Sequence, residues 1–223
     1  MKKYIAEFIG TFALVFCGTR AIIVNEQSNG SLGLLGIALS FGIIISAMIY
    51  VFGNISGAHI NPSVTIALVI GKLTKKKEAI FYISAQIIGA ILASGLLKFM
   101  FPENLTLGAT IPSGELLQSF IIEFILTFFL MLTILGVTSK KEFSNIAGLL
   151  IGLVVTGIIL FAGPISGGSF NPARSFAPAI VSGNITALWI YISAPTLGAL
   201  VAMIIWKIVV KTEQVPTGNK ELS

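Results

Sequence analysis

One short pattern occurs twice in this chain and limits its fold more than any other feature. Ile55-Ser56-Gly57 … Asn61-Pro62 returns 110 residues later as Ile165-Ser166-Gly167 … Asn171-Pro172. The surroundings repeat as well. ISAQIIGAILA (83–93) recurs 109 residues on as ISAPTLGALVA (192–202), identical at six of eleven positions, and Glu7-Phe8-Ile9 is answered by Glu123-Phe124-Ile125. Whatever one half folds into, the other half folds into too.

Both copies are embedded in apolar sequence. The chain is 55% hydrophobic and 10% charged, with a mean hydropathy of +0.97, whereas a soluble domain carries about 25% charged residues. Its solvent is therefore lipid, and a bilayer core of about 30 Å needs roughly 20 apolar residues per helix. Six segments are long enough, at about 4–24, 33–53, 79–101, 117–137, 145–163 and 187–210. Two shorter apolar pieces, at about 62–70 and 172–181, follow the Gly/Ser/Asn/Pro clusters. At about 1.5 Å per residue they cover less than half the bilayer. Three spans per repeat is an odd number, so the second copy stands upside down relative to the first, a transport architecture with its site where the copies meet. The expected fold is an all-α membrane protein with six transmembrane helices and two half-helices in an inverted repeat. We expect a single channel domain over 1–210, with repeats at about 4–101 and 117–210, and a polar cytoplasmic tail at 211–223.

The charges orient these spans. Eleven of the fourteen Lys and Arg lie before the first span, between the second and third, between the fourth and fifth, and at the end of the chain. The opposite connections, about 25–32, 102–116 and 182–186, contain none. By the positive-inside rule both termini are cytoplasmic, as expected for a multi-pass protein of the cell (inner) membrane. The same rule accounts for the net charge of +5 without a nucleic-acid partner. Met1-Lys2-Lys3 and the apolar run after it resemble a signal peptide, and Leu14–Gly18 faintly resembles a lipoprotein box. Glu7 interrupts the run, Phe16 is too large for a cleavage site, and no A-x-A follows. The segment is expected to remain as the first span. Cys17 is the only cysteine, so no intrachain disulfide is possible.

The Asn-Pro boxes have a physical reading. Asn is among the best N-cap residues, and Pro is pre-set for the first helical position. Each box therefore opens a short helix after an irregular approach, and such backbone survives at membrane depth only when buried in protein or lining a wet cavity. In an inverted repeat the two short helices enter from opposite faces and meet N-terminus to N-terminus. Each end carries roughly +0.5 charge, which repels cations and hydrated protons. The amides of Asn61 and Asn171 can both donate to one water oxygen, interrupting a proton wire while neutral solutes pass.

The segments ISGAHINPSVT (55–65) and GPISGGSFNPARS (163–175) resemble the two motif boxes of the major intrinsic protein family, and the likeness covers about residues 4–210. The resemblance implies a passive channel for water and small uncharged solutes, working as a homotetramer with one pore per subunit in the lipid bilayer. It implies a pore centre at Asn61, Pro62, Ser63, Asn171, Pro172 and Ala173. Ser63 stands where the family usually has Ala, which is similar to the nodulin-like branch and its bacterial relatives. It also implies an outer selectivity ring at Phe41, Ile159, Gly168 and Arg174. Water-specific members resemble Phe-His-small-Arg and glycerol facilitators Trp-Gly-Phe-Arg, so Phe-Ile-Gly-Arg is intermediate. The alternative main role, a glycerol or metalloid-hydroxide facilitator, stays open. Ser175, Ala179 and Tyr191 favour the water side, and Ile192 does not.

The residues support these roles independently. Arg174 is a charge at membrane depth, where an unpaired one costs at least about 2.5–3.5 kcal/mol. Glu7 and Glu123, at equivalent places in the two repeats, are expected to accept hydrogen bonds from the irregular loops. His59, the only histidine, is a candidate pore-lining group. Gly10, Gly42, Gly89, Gly152 and Gly198 are read as close helix crossings. No cofactor or metal is expected, and an enzyme is not: the lone histidine and Gly168-Ser169-Phe170 make a poor hydrolase. An ion-coupled transporter normally needs acidic ligands at its centre, and the chain has no Asp.

Overall fold

The computed structural model describes residues 1–213, which form eight α-helices: α1 (Lys2–Gln27), α2 (Gly33–Ser56), α3 (Pro62–Ile70), α4 (Lys76–Met100), α5 (Leu116–Ser139), α6 (Ala147–Ser166), α7 (Pro172–Ser182) and α8 (Leu188–Glu213). One 3-10 turn, Lys141–Phe143, joins α5 to α6. Six of the helices are long and apolar enough to cross a membrane. The remaining two, α3 and α7, have 9 and 11 residues, or about 14 and 16 Å of rise. All eight match the apolar segments of the sequence. Of the expected polar tail, positions 214–223 lie outside the described residues. Helix α8 continues to Glu213, three residues beyond the expected end.

Packing obeys the same duplication. In one half α1 packs on α2 and α4, and in the other α5 packs on α6 and α8. The half-helices tie the halves together: α3 lies against α8 as well as its own α4, and α7 against α4 as well as its own α8. Helices α2 and α6 cross at Gly42 and Gly152. A Cβ at Gly42 would overlap Thr156 Oγ1 and the Gly152 carbonyl, and one at Gly152 would overlap Ser46 Oγ and the Gly42 carbonyl. Gly89 meets the Phe8 carbonyl and Gly198 the Phe124 carbonyl in the same way, while Gly10 faces Ile60. The absence of side chains brings backbones together where lipid provides no hydrophobic drive.

The two approach loops are alike in backbone. Helices α2 and α6 both end on a left-handed glycine, Gly57 (φ 86°) and Gly167 (φ 83°). Left-handed residues follow at Ala58 (46°) and Ile60 (51°) in one loop and at Gly168 (62°) and Phe170 (54°) in the other. Non-glycine residues in this region cost of order 1–3 kcal/mol each and persist where their surroundings over-determine them.

Candidate pore and its constrictions

Two buried carboxylates hold these loops. Glu7 and Glu123 are both 0% exposed, at a depth where an unsatisfied polar group costs several kcal/mol. Glu7 Oε1 accepts from Ser56 Oγ (2.6 Å) and the His59 backbone N–H (2.9 Å), and Oε2 from the Ile60 N–H (2.7 Å) and Gln86 Nε2 (2.8 Å). Glu123 Oε1 accepts from Ser166 Oγ (2.7 Å) and the Ser169 N–H (2.9 Å), and Oε2 from the Phe170 N–H (2.8 Å). The second repeat has Pro195 in the place of Gln86, so that fourth donor is missing. Tyr82 and Tyr191 complete the pair, donating to the carbonyls of Ser56 (2.8 Å) and Ser166 (2.6 Å).

With the loops fixed, the asparagines are aimed. Asn61 is extended (φ −156°, ψ 121°), and its Oδ1 accepts from the Ser63 N–H at 2.9 Å. Asn171 does the same with the N–H groups of Ala173 (3.0 Å) and Arg174 (3.4 Å). Each is an N-cap followed by proline, as the sequence reading expects. The Nδ2 groups then reach across the repeat: Asn61 donates to the Phe170 carbonyl and Asn171 to the Ile60 carbonyl, both at 2.7 Å. A primary amide has two hydrogens, so each nitrogen keeps one for a passing solute.

Arg174, on the first turn of α7, is 1% exposed. Its Nη1 donates to the Gly108 carbonyl at 2.8 Å. The guanidinium carbon lies 5.1 Å from the centre of the Phe41 ring, within cation–π range. Nε and Nη2 are buried without a partner among the described residues.

Two cavities approach this centre. The larger, of about 450 Å³, is lined by His59, Asn61 and Asn171 and walled by apolar side chains including Ile45, Ile49 and Val155. The smaller, of about 260 Å³, is lined by Phe41, Ile159 and Gly168 together with Ile22, Glu26 and Thr106. Phe41, Ile159 and Gly168 thus line one cavity, with Arg174 beside Phe41, and Asn61, Asn171 and His59 line the other. His59 Nδ1 lies 3.1 Å from Thr65 Oγ1, and its ring meets Tyr82 edge-on at 4.9 Å.

The remaining candidates sit behind the lining. Pro62 and Pro172 are the buried first residues of α3 and α7. Ser63 Oγ is 3.0 Å from Thr196 Oγ1 of α8, and Ala173 packs with Val15, Ala90 and Ala93. Several residues escaped the sequence reading. Gln86 and the hydroxyl of Tyr82 have no motif of their own, although Tyr82-Ile83-Ser84-Ala85 repeats as Tyr191-Ile192-Ser193-Ala194 and flags both tyrosines. Gly108 and Thr110, which donates to Ser175 Oγ at 2.7 Å, lie in the 101–115 connection and carry no such signal.

A mirrored set of six spans, with two half-helices capped head to head and a cavity on each side of them, defines a membrane channel. Residues 1–206 match the family model described as major intrinsic protein, and the chain belongs to that family. It is 42% identical over 202 residues to "Aquaporin NIP1-1" of Zea mays, spanning 90% of this chain and 72% of the relative. It is 39% identical to "Nodulin-26" of Glycine max, spanning 96% and 80%. The crystallographic "aquaglyceroporin from Plasmodium falciparum" superposes with a TM-score of 0.84 at 26% identity, covering 95% of this chain and 97% of that one.

Proposed function

We propose that this channel passes water and small uncharged solutes by diffusion and excludes ions and protons. The observation that carries this reading is the crossed pair Asn61–Phe170 and Asn171–Ile60. It leaves two amide donors at the meeting point of two positive helix ends, so a water there presents its oxygen to both and breaks the relay of protons. Phe41, Ile159, Gly168 and Arg174 form the outer selectivity ring, and Glu7 and Glu123 support the loops. The channel works as a homotetramer in the cell (inner) membrane, and both its termini are cytoplasmic, an orientation supported by the one-sided lysines. Apolar residues exposed on its flanks, such as Ile88, Leu92 and Leu117, face lipid or neighbouring subunits.

A second reading, with glycerol or metalloid hydroxides as the main cargo, draws on Gly168, which puts no side chain in the outer cavity, and on the apolar wall of Ile159. The names of the relatives, aquaporins and an aquaglyceroporin, fit either. Stopped-flow swelling of proteoliposomes against sucrose, urea and glycerol tests both. Swelling no faster than in empty liposomes would overturn the channel reading, and glycerol entry rivalling that of water would favour the second.

A further inference from the structure

Among the described residues the Arg174 side chain makes one hydrogen bond, and its acceptor belongs to a loop, not to a span. The Gly108 carbonyl is turned towards Arg174 by consecutive left-handed residues, Leu107 (φ 51°) and Gly108 (φ 66°). A Cβ at Gly108 would lie 2.8 Å from Thr19 Cβ and O, so the backbone rests directly on α1. The unusual turn is written by Asn104, whose Oδ1 accepts from the N–H groups of Thr106 (3.2 Å) and Leu107 (2.7 Å). Leu107 then plugs a buried cluster with Ile23 and Leu97. The other end of the same amide is anchored: Asn104 Nδ2 donates to Glu26 Oε2 at 2.8 Å, in the last turn of α1.

We propose that Asn104, held by Glu26, is a positioning residue for Arg174 and thereby sets the selectivity of the outer ring. The path is continuous: carboxylate of Glu26, amide of Asn104, turn 104–108, carbonyl of Gly108, guanidinium of Arg174. Every step is a hydrogen bond or a backbone segment fixed by one, and every acceptor on it is matched to a donor. Losing the Glu26 contact lets the turn drift, and the carbonyl no longer meets Nη1. The guanidinium is then held by the cation–π contact with Phe41 alone, too weakly to keep it in its place in the ring. Water, which already fits, gains little, and larger solutes gain more. This inference rests on the reading of Arg174 as part of the outer ring.

The test exchanges donor and acceptor across one contact. Asn104→Asp keeps an oxygen for the Thr106 and Leu107 N–H groups but sets a carboxylate against Glu26. Combining it with Glu26→Gln restores a donor opposite an acceptor. In proteoliposomes Asn104→Asp is expected to raise the glycerol-to-water permeability ratio by about threefold, and the double variant to return it towards the parent, the non-additivity expected of residues in contact. An unchanged ratio in Asn104→Asp, or a double variant no closer to the parent, overturns the proposal. Should Asn104→Asp not reach the membrane, Asn104→Ala breaks the same contact without altering a residue that lines the outer cavity and is expected to raise the ratio likewise. Arg174→Ala, measured alongside, separates the two readings. If it leaves the ratio as in the parent, the outer ring and the relay fall together. If it changes the ratio while Asn104→Asp does not, the relay alone falls.

Discussion

Asn61 and Asn171 never touch each other's side chains as hydrogen-bond partners, yet each depends on the other's loop. Asn61 Nδ2 is held by the Phe170 carbonyl, the residue before Asn171, and Asn171 Nδ2 by the Ile60 carbonyl, the residue before Asn61. Each half-helix is thereby tied to the approach loop of the other. Asn171→Asp removes one of the two donors and sets an anionic oxygen against the Ile60 carbonyl. A buried group left unpaired in this way costs about 1–3 kcal/mol, more when charged. The variant is expected to unfold at lower temperature in detergent, and its folded fraction to leak cations when reconstituted. Wild-type stability together with wild-type ion exclusion would remove Asn171 from the pore.

Charge exclusion has its own measurement. In the proposed mechanism, two helix N-termini facing one point disfavour a cation there, and the amide donors break the proton wire. Vesicles containing the protein are expected to swell rapidly while a trapped pH dye reports proton entry at the rate of empty lipid. A proton current that scales with water flux would be incompatible with this arrangement.

The outer ring is tested by size. Ile159 is apolar and Gly168 has no side chain, so glycerol is expected to permeate, more slowly than water. Ile159→His adds a polar ring to the outer cavity and is expected to reduce glycerol flux much more than water flux. Gly168→Phe is expected to obstruct both. It also strains the backbone, since φ is 62°, a region costing a non-glycine residue about 1–3 kcal/mol. A glycerol-to-water ratio unmoved by Ile159→His would show that this ring does not select.

Helix crossing gives a matched pair of glycine substitutions. Gly42→Ala drives a methyl into Thr156 Oγ1 and the Gly152 carbonyl, and overpacking of this kind costs roughly 1–3 kcal/mol. Gly157, within α6, has open space within 4 Å of where a Cβ would stand, and alanine there gains up to about 1 kcal/mol of helix propensity. Thermal denaturation in detergent is expected to place Gly42→Ala below the parent and Gly157→Ala level with it or above. The reverse order would contradict the crossing.

Most of the fold was legible because lipid makes hydrophobicity and span length nearly the same question. Segment ends were less so: α1 extends from Lys2 to Gln27 and α4 starts at Lys76, since polar residues continue a helix past the point where apolarity stops. The Asn-Pro boxes carried the architecture in their letters, because capping is side-chain chemistry. The 101–115 connection did not, because what it brings to Arg174 is a backbone carbonyl, and every residue has one. Its conformation is encoded in Asn104, whose role depends on Glu26 some 78 positions away. The backing of Ser63 by Thr196 was hidden for a related reason, a contact between a half-helix and a span of the opposite repeat.

The exchange of partners between the two loops also has a consequence in time. A chain is made from its N-terminus at about 5–20 residues per second, so Asn61 and Ile60 exist before Phe170 and Asn171 have been joined to them. During that interval the first loop has its own Glu7, Tyr82 and Gln86, but the Asn61 amide and the Ile60 carbonyl await a half that is not yet synthesised. Helix α3 likewise lacks the face of α8 against which it comes to rest. The first three spans can thus enter the bilayer as helices, while the re-entrant segment between them becomes locked only at the last stage of biogenesis, when the final span arrives.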